Sequence, residues 1–294
     1  MDHLLFHGTC TALVTPFQDD GIDYEAVAVL LDRQLAAGIG AIVVAGTTGE
    51  GATLTDAEKL ALIRFCKEYV KDQCLIIGNS GSNCTGHAVE LSVAAEENGA
   101  DALLAVSPYY NKANEAGLLA HYRRIAEAAN LPLILYNVPT RTGMDIPVSA
   151  CKALSSIPNI AGIKEATTDI RKILNIRLEC SENFGIWAGN DDMVCAAMAV
   201  GAQGVISVAS NVAPEAMKGL TDTCLQGDYP KARKAQGKLL PLIDSLFCEV
   251  NPIPVKYALS RMGLMKNTCR LPLAEPSAEH ATRIEQCLED FGIL

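Results

Sequence analysis

The sequence has no excess of positive charge, no C-x-x-C pair, no long apolar run and no cluster of histidines. Each absence closes a class of function. With 24 basic against 34 acidic residues the formal charge is −10, and such a surface repels nucleic acid and anionic membranes. It leaves room for a local basic pocket that binds a small anion. The eleven cysteines are an odd number, and Cys66, Cys74 and Cys195 fall at apolar positions where cysteine acts as a small hydrophobe. No run of about 18 apolar residues suggests a membrane span. The opening run Met1-Asp2-His3-Leu4-Leu5-Phe6-His7 lacks a basic region followed by a long apolar core, so no signal peptide is expected. A reduced cytoplasmic protein fits these features. The five histidines, His3, His7, His87, His121 and His280, are scattered and none falls beside an expected strand end, so no catalytic metal is expected. No P-loop or dinucleotide fingerprint appears, and no cofactor is expected.

What is present is a regular alternation. The chain has 294 residues, 49% of them hydrophobic, enough for a large core. Short apolar runs predict strands at Gly8–Val14, Ala41–Ala45, Cys74–Gly78, Ala102–Val106, Leu133–Asn137, Ile160–Lys164, Phe184–Ala188 and Gly204–Ser207. Helical periodicity fills the gaps at Tyr24–Ala37, Asp56–Val70, Thr85–Asn98, Glu115–Ala129, Asp169–Cys180 and Asp191–Val200. The strands are apolar on both faces, as parallel strands under helices are, and they recur at roughly the 30-residue interval of a βαβ unit. Gly38–Val44, Gly99–Ala105 and Gly201–Ser207 repeat one pattern of helix-ending glycine, tight turn and buried strand. The expected fold is α/β, a (β/α)8 TIM barrel over residues 1–226. A C-terminal helical extension follows over 227–294, with helices at Tyr229–Leu246, Pro254–Met262 and Ala278–Asp290. An open doubly wound sheet is the alternative, but the run Thr15-Pro16-Phe17-Gln18-Asp19-Asp20-Gly21 after the first strand offers no glycine-rich phosphate turn.

Barrel enzymes carry their chemistry at the C-terminal strand ends. Here those ends read Gly46-Thr47-Thr48-Gly49-Glu50, Asn79-Ser80-Gly81-Ser82-Asn83, Ser107-Pro108-Tyr109-Tyr110-Asn111, Tyr136 to Gly143, Lys164, Gly189-Asn190-Asp191 and Ser207. Lys164 closes an apolar strand, and lysines are seldom buried unless paired or functional. An ammonium taken out of water loses stability in its charged form, and a free amine condenses with a ketone or aldehyde to give a Schiff base. The alternative is a strand-end lysine that snorkels to water. Tyr136, on the adjacent strand, is placed to pass protons. The hydroxyls and backbone N–H groups of the Thr47-Thr48 turn suit a carboxylate, and the fork of Arg141 suits a second one. Plainer readings stand beside these: an ordinary turn at Thr47-Thr48, packing roles for Tyr109 and Tyr110, and a surface pair of Arg141 with Asp145. Glu165 points to the opposite face from Lys164 and reads as structural. An amine, a phenol and carboxylate binders together suit a keto-acid substrate.

The motifs Gly46-Thr47-Thr48-Gly49-Glu50, Pro108-Tyr109-Tyr110-Asn111, Tyr136-Asn137-Val138-Pro139-Thr140-Arg141-Thr142-Gly143, Gly162-Ile163-Lys164-Glu165-Ala166 and Asn251-Pro252-Ile253-Pro254-Val255-Lys256 occur in this order. From about Gly8 onward the chain resembles the dihydrodipicolinate synthases. These belong to the pyruvate-dependent class I lyase and aldolase family that includes N-acetylneuraminate lyase. The resemblance implies a Schiff base between Lys164 and pyruvate, whose enamine attacks aspartate semialdehyde in the diaminopimelate route to lysine. It implies a proton relay of Thr47, Tyr110 and Tyr136. It assigns Thr48 to the pyruvate carboxylate, Arg141 to the semialdehyde carboxylate, and the backbone of Gly189 and Ile206 to the lysine pocket. It also implies that Tyr110 comes from a neighbouring subunit, so at least a homodimer, with a tetramer as a dimer of dimers the usual family arrangement.

Two positions depart from lysine-inhibited members, which resemble a histidine where this chain has Lys59 and a glutamate where it has His87. Both belong to the feedback site, beside Asn83 and Tyr109, so feedback by lysine is expected to be weak or lost. The competing enzymatic reading is a related aldolase or lyase acting on sialic acid or 2-keto-3-deoxy sugar acids. Those members resemble Gly-Ser-Thr-Gly at the first motif and lack an arginine at position 141. A non-catalytic sensor on the same fold would be expected to lose Lys164, the tyrosines or Thr47, and all are present.

Overall fold

Alternation within each short apolar run sends one set of side chains inward and the other out to the helices. The computed structural model describes residues 4–19 and 21–294, so His3, the start of the opening run and Asp20 lie outside the described residues. Its strands are β1 (Gly8–Ala12), β2 (Ala41–Val44), β3 (Leu75–Asn79), β4 (Ala102–Val106), β5 (Leu133–Asn137), β6 (Ile160–Glu165), β7 (Gly185–Ala188) and β8 (Gly204–Ser207). Each pairs in parallel with its sequence neighbours, and β1 pairs with both β2 and β8, which closes the barrel. The expected TIM barrel is present.

The alternation produces two cores. Cys10, Val43, Ile77, Leu104, Ile134 and Trp187 fill the barrel interior. Ile42, Ile76, Leu103, Leu135, Ile163 and Ile186 face out into the layer shared with the helices. Burying each large aliphatic side chain contributes about 1.5–3 kcal/mol. Towards the start of the strands the interior is sealed by Trp187, whose ring stacks on Phe6 with centroids 4.6 Å apart and whose Nε1 donates to the Phe6 carbonyl at 3.2 Å. The open end is the opposite one, where the polar strand ends lie.

The barrel helices are α1 (Tyr24–Ala36), α2 (Asp56–Val70), α3 (Thr85–Glu97), α4 (Glu115–Ala128), α5 (Val148–Leu154), α6 (Ile170–Glu179), α7 (Val194–Ala199) and α8 (Pro214–Leu225). Their starts follow side-chain capping. Thr55 and Glu58 form a reciprocal capping box at α2, while Asp23, Asn114 and Asp169 accept from first-turn N–H groups of α1, α4 and α6. After α8 come α9 (Tyr229–Leu246), α10 (Ile253–Arg261) and α11 (Ala278–Asp290). Leu242, Ile243, Leu259, Ile284 and Leu288 join the outer core, so these helices are packed continuously with the barrel. Among the described residues no helix is long and apolar enough to cross a membrane.

The structure departs from the sequence expectations at several points. The first strand ends at Ala12, not Val14, and a two-stranded turn at Phe17–Gln18 and Gly21–Ile22 follows it. The helix expected over Asp191–Val200 is a 3-10 turn at Asp191–Met193 running into α7, because the Asp191 carboxylate is occupied by the backbone of the next strand end. The helices α5 and α8 fall outside the expectations. Seven residues behind Pro147 give α5 too little periodicity to read, and Pro214 opens α8 soon after a strand end.

One long-range pair ties α2 to the segment after α10. Arg270 Nη1 and Nη2 donate to Glu58 Oε2 and Oε1 at 2.8 and 2.5 Å, and this guanidinium is the main reason the Glu58 carboxyl is held at about 2. An ordinary glutamate titrates near ~4.3, so the unfolded chain binds the extra proton first as pH falls. The stabilisation from this pair is therefore complete above about pH 4.3 and lost as pH drops towards about 2. Thermal unfolding followed from about pH 6 to about pH 3 should show a steeper fall in wild-type Tm than in Glu58→Gln; parallel curves would refute the assignment.

Candidate active site

Lys164 is the penultimate residue of β6, in register with Tyr136 on β5 and Trp187 on β7. It is only 5% exposed, so it does not snorkel. Its Nζ lies 4.5 Å from the centre of the Tyr136 ring. Tyr136 belongs to the barrel interior, and Ile206, in register with Cys10 across β8 and β1, belongs there too. Burial pushes the Cys10 thiol well up, with Lys164 among the groups that pull it back. The amine thus stands at the top of the interior core, between apolar packing and the polar strand ends.

The turn after β2 is held on several sides. Gly51 N donates to the Gly46 carbonyl at 3.0 Å, and Glu50 N to the Thr47 carbonyl at 3.1 Å. Thr15 Oγ1 donates to the Gly49 carbonyl at 2.6 Å. A Cβ on Gly51 would lie 2.0 Å from the Ala45 carbonyl oxygen, so glycine is required for this close approach. Beneath the turn, buried Glu50 pairs with buried Lys256 from α10 and accepts the Arg270 N–H at 2.9 Å. Lys256 Nζ also lies 4.2 Å from the centre of the Phe17 ring. Thr48 is buried and Thr47 half-buried. Asn251 Nδ2 donates to Thr48 Oγ1 at 3.0 Å.

The turn after β5 is anchored by a separate polar network. Asn137 Nδ2 donates to Asp145 Oδ1 at 2.7 Å and to Glu165 Oε1 at 2.8 Å, while Asn137 Oδ1 accepts the Ile146 N–H at 2.9 Å. Lys172 pairs with both Asp145 and Glu165. Burial pushes the Glu165 carboxyl up, against the pull of Lys172 and Asn137. Glu165 is thereby structural, as its position on the outer face suggests. Asp145 is the partner of Lys172, and the surface pair of Arg141 with Asp145, the plainer reading of that arginine, is not formed. Arg141 instead donates from Nη2 to the Asn251 carbonyl at 3.1 Å.

The remaining strand ends complete the ring. Gly189 N donates to the Glu165 carbonyl at 2.8 Å, and a Cβ there would lie 2.7 Å from Ala166 Cβ. Asp191 is buried, and its Oδ2 accepts the Val208 and Ala209 N–H groups at 2.9 and 2.8 Å. Burial pushes its carboxyl up, with Ser207, those two N–H groups and Lys164 pulling it down. Asp191 and Asn251 carry no role in the sequence expectations, although Asp191 closes the Gly189-Asn190-Asp191 strand end and Asn251 opens the Asn251–Lys256 motif. Among the described residues, no three His, Cys, Asp or Glu side chains gather where they would hold a metal ion.

A cavity of about 760 Å³ is lined by Thr47, Tyr136 and Arg141 and also by Lys59, His87 and Tyr109, whereas Lys164, Thr48, Gly189 and Ile206 are not among its lining residues. His87, expected away from the strand ends, therefore shares the cavity with them. His87 Nε2 lies 2.7 Å from Asp56 Oδ2 and Lys59 Nζ 3.1 Å from Asp56 Oδ1. Asn83 Nδ2 donates to the Tyr109 carbonyl at 3.2 Å. Tyr110 stands apart: it is 93% exposed, its backbone is left-handed with φ 68°, and no hydrogen bond joins it to Thr47 or Tyr136.

A barrel with a buried lysine and a neighbouring phenol, set between two polar turns, defines a Schiff-base lyase. The family model described as "Dihydrodipicolinate synthetase family" matches residues 5–291. The 4-hydroxy-tetrahydrodipicolinate synthase of Acetivibrio thermocellus is 43% identical over 290 residues, covering 99% of this chain and 99% of that one. Its counterpart in Fervidobacterium nodosum is 44% identical over 291 residues, covering 99% and 100%. The crystal structure of dihydrodipicolinate synthase from Aquifex aeolicus superposes with a TM-score of 0.97 at 39% identity, covering 98% of this chain and 99% of that one. The chain belongs to the dihydrodipicolinate synthetase family.

Proposed function

We propose that the chain is a 4-hydroxy-tetrahydrodipicolinate synthase, condensing pyruvate with aspartate semialdehyde. The observation that carries this reading is Lys164, 5% exposed inside the barrel with its Nζ 4.5 Å from the Tyr136 ring centre. Lys164 Nζ adds to the pyruvate C2 carbonyl, and loss of water gives the imine. Loss of a C3 proton makes the enamine, whose C3 attacks the aldehyde carbon of the semialdehyde. The amino group of that substrate then adds to C2, and Lys164 departs as the ring closes. Tyr136, with Thr47, carries protons for these steps. Thr48 holds the pyruvate carboxylate, Arg141 the semialdehyde carboxylate, and the backbone at Gly189 and Ile206 lines the pocket. Product formation from pyruvate and aspartate semialdehyde, measured beside cleavage of sialic acid and of a 2-keto-3-deoxy sugar acid, tests the reading. Faster turnover of either sugar acid would overturn it.

The relay needs a second chain. Tyr110 is held out of its own cavity, which suits delivery to the site of a neighbouring copy, so the active unit is at least a homodimer and in the family's usual form a tetramer. A barrel at 1–226 with an extension at 227–294 places the catalytic groups mainly in the first part. The eleven free cysteines suit a reducing cytoplasmic setting.

Feedback by lysine is expected to be weak or absent. Both Asp56 oxygens are engaged, one by His87 and one by Lys59, and the hydrogen bond from His87 is the main cause that lowers the Asp56 carboxyl. The Asp56 carboxylate is already shared between two cationic or donor partners, and Lys59 repels an incoming ammonium. A coupled assay should show little loss of rate at millimolar lysine; half-inhibition well below that would refute this point.

A further inference from the structure

The two carboxylate-binding groups come from turns after β2 and β5, yet a single residue outside the barrel touches both. Asn251, between α9 and α10, is 7% exposed. Its side-chain Nδ2 donates to Thr48 Oγ1 at 3.0 Å, and its backbone carbonyl accepts from Arg141 Nη2 at 3.1 Å. We propose that Asn251 is a positioning residue for substrate, aiming the Thr48 hydroxyl at the pyruvate carboxylate through its amide and bracing Arg141 through its carbonyl. The inference rests on the function proposed above and deepens it.

A threonine hydroxyl has one proton and two lone pairs. By filling a lone pair, the Asn251 amide leaves the Thr48 proton to be given to a ligand oxygen. A serviceable partner here must donate and carry no negative charge, since a carboxylate at this place would repel the substrate carboxylate. Asparagine meets both conditions. The Asn251 Oδ1 is buried without a hydrogen-bond partner, so the nitrogen is the end of the amide that is bonded. A neutral loop-filling role does not explain the donor aimed at Thr48.

The two arms separate by mutation, because one is side chain and the other backbone. Asn251→Ala removes the arm to Thr48 and keeps the arm to Arg141. Half-saturation by pyruvate should then rise several-fold, up to about tenfold for a lost hydrogen bond, and KM for the semialdehyde should move by less than about twofold. Asn251→Asp should raise the pyruvate value further at neutral pH and recover towards wild type as the new acid takes up a proton. Arg141, the charged group bonded to Asn251, stays cationic across this range. The Glu50–Lys256 and Lys164–Asp191 neighbours are common to all the proteins and cancel in the comparison.

The experiment titrates pyruvate alone, traps the adduct with borohydride, and quantifies modified Lys164 peptide in wild type, Asn251→Ala and Asn251→Asp at several pH values, with circular dichroism on each. A raised half-saturation in Asn251→Ala, with a pH-linked shift confined to Asn251→Asp, supports the proposal. Unchanged half-saturation in both variants overturns it while leaving the enzyme's function intact. Should Asn251→Ala fail to fold, the aspartate variant decides alone, since no pH-linked shift in it would overturn the proposal. A wild type that forms no adduct at Lys164 overturns the function and this inference together.

Discussion

Turnover should disappear in Lys164→Ala while the barrel stays folded. In the proposed mechanism the amine forms and breaks every covalent bond between enzyme and substrate, so its loss should exceed the roughly 10²–10⁴-fold cost of removing a proton-transfer group. Folding should survive for two reasons. The interior cluster around Trp187, Ile134 and Leu104 does not depend on the ammonium. The nearby Asp191 carboxyl is already pushed up by burial, so without Lys164 it protonates more readily and leaves no stranded charge. Lys164→Arg sharpens the test, because it keeps a cation in place yet cannot form the imine. Initial rates with both substrates, beside thermal melts, check the expectation. Measurable turnover in Lys164→Arg would mean that charge, and not nucleophilicity, is what the site requires.

Lys256→Met should produce the largest loss of stability. Lys256 and Glu50 are both fully buried at their side chains; burial pushes the lysine's pKa down, and Glu50 offsets part of that shift. Removing the cation leaves Glu50 with the Arg270 N–H at 2.9 Å as a remaining donor. Breaking such a pair from one side costs about 3–5 kcal/mol, a fall in Tm on the order of 10 °C. Glu50 has a left-handed backbone, φ 53°, in the turn that carries Thr47 and Thr48, so its release should also weaken pyruvate binding. Adding Glu50→Gln to Lys256→Met removes the stranded charge and should recover much of the Tm. A double variant whose loss equals the sum of the single losses would show that the two residues are not coupled.

The barrel was legible because its signal is local and repeated. The bounds of β4, β5 and β8, and those of α2, α9 and α11, agree with the expected ones, since their apolar periods end at clear glycine, proline or capping residues. Helix α5 was not legible, because seven residues make fewer than two full turns of pattern. At the site, Lys164 and Tyr136 could be paired from sequence, as both close adjacent parallel strands. Arg141 could be named but not partnered: Asp145 is near it in sequence, yet Lys172 from α6 claims that carboxylate. Asn251 lies 203 residues from Thr48 and 110 from Arg141, and no spacing rule reaches that far. The same holds for Lys256 and Glu50, whose pairing makes the C-terminal helices part of the support beneath the Thr47-Thr48 turn.

The central claim is that Lys164 bonds covalently to the keto acid. Borohydride reduction in the presence of pyruvate, followed by peptide mass spectrometry, tests it most directly. One modified peptide is expected, containing Lys164 and heavier by pyruvate less one water plus two hydrogens. An adduct on any other lysine, or an unmodified chain at saturating pyruvate, would contradict it.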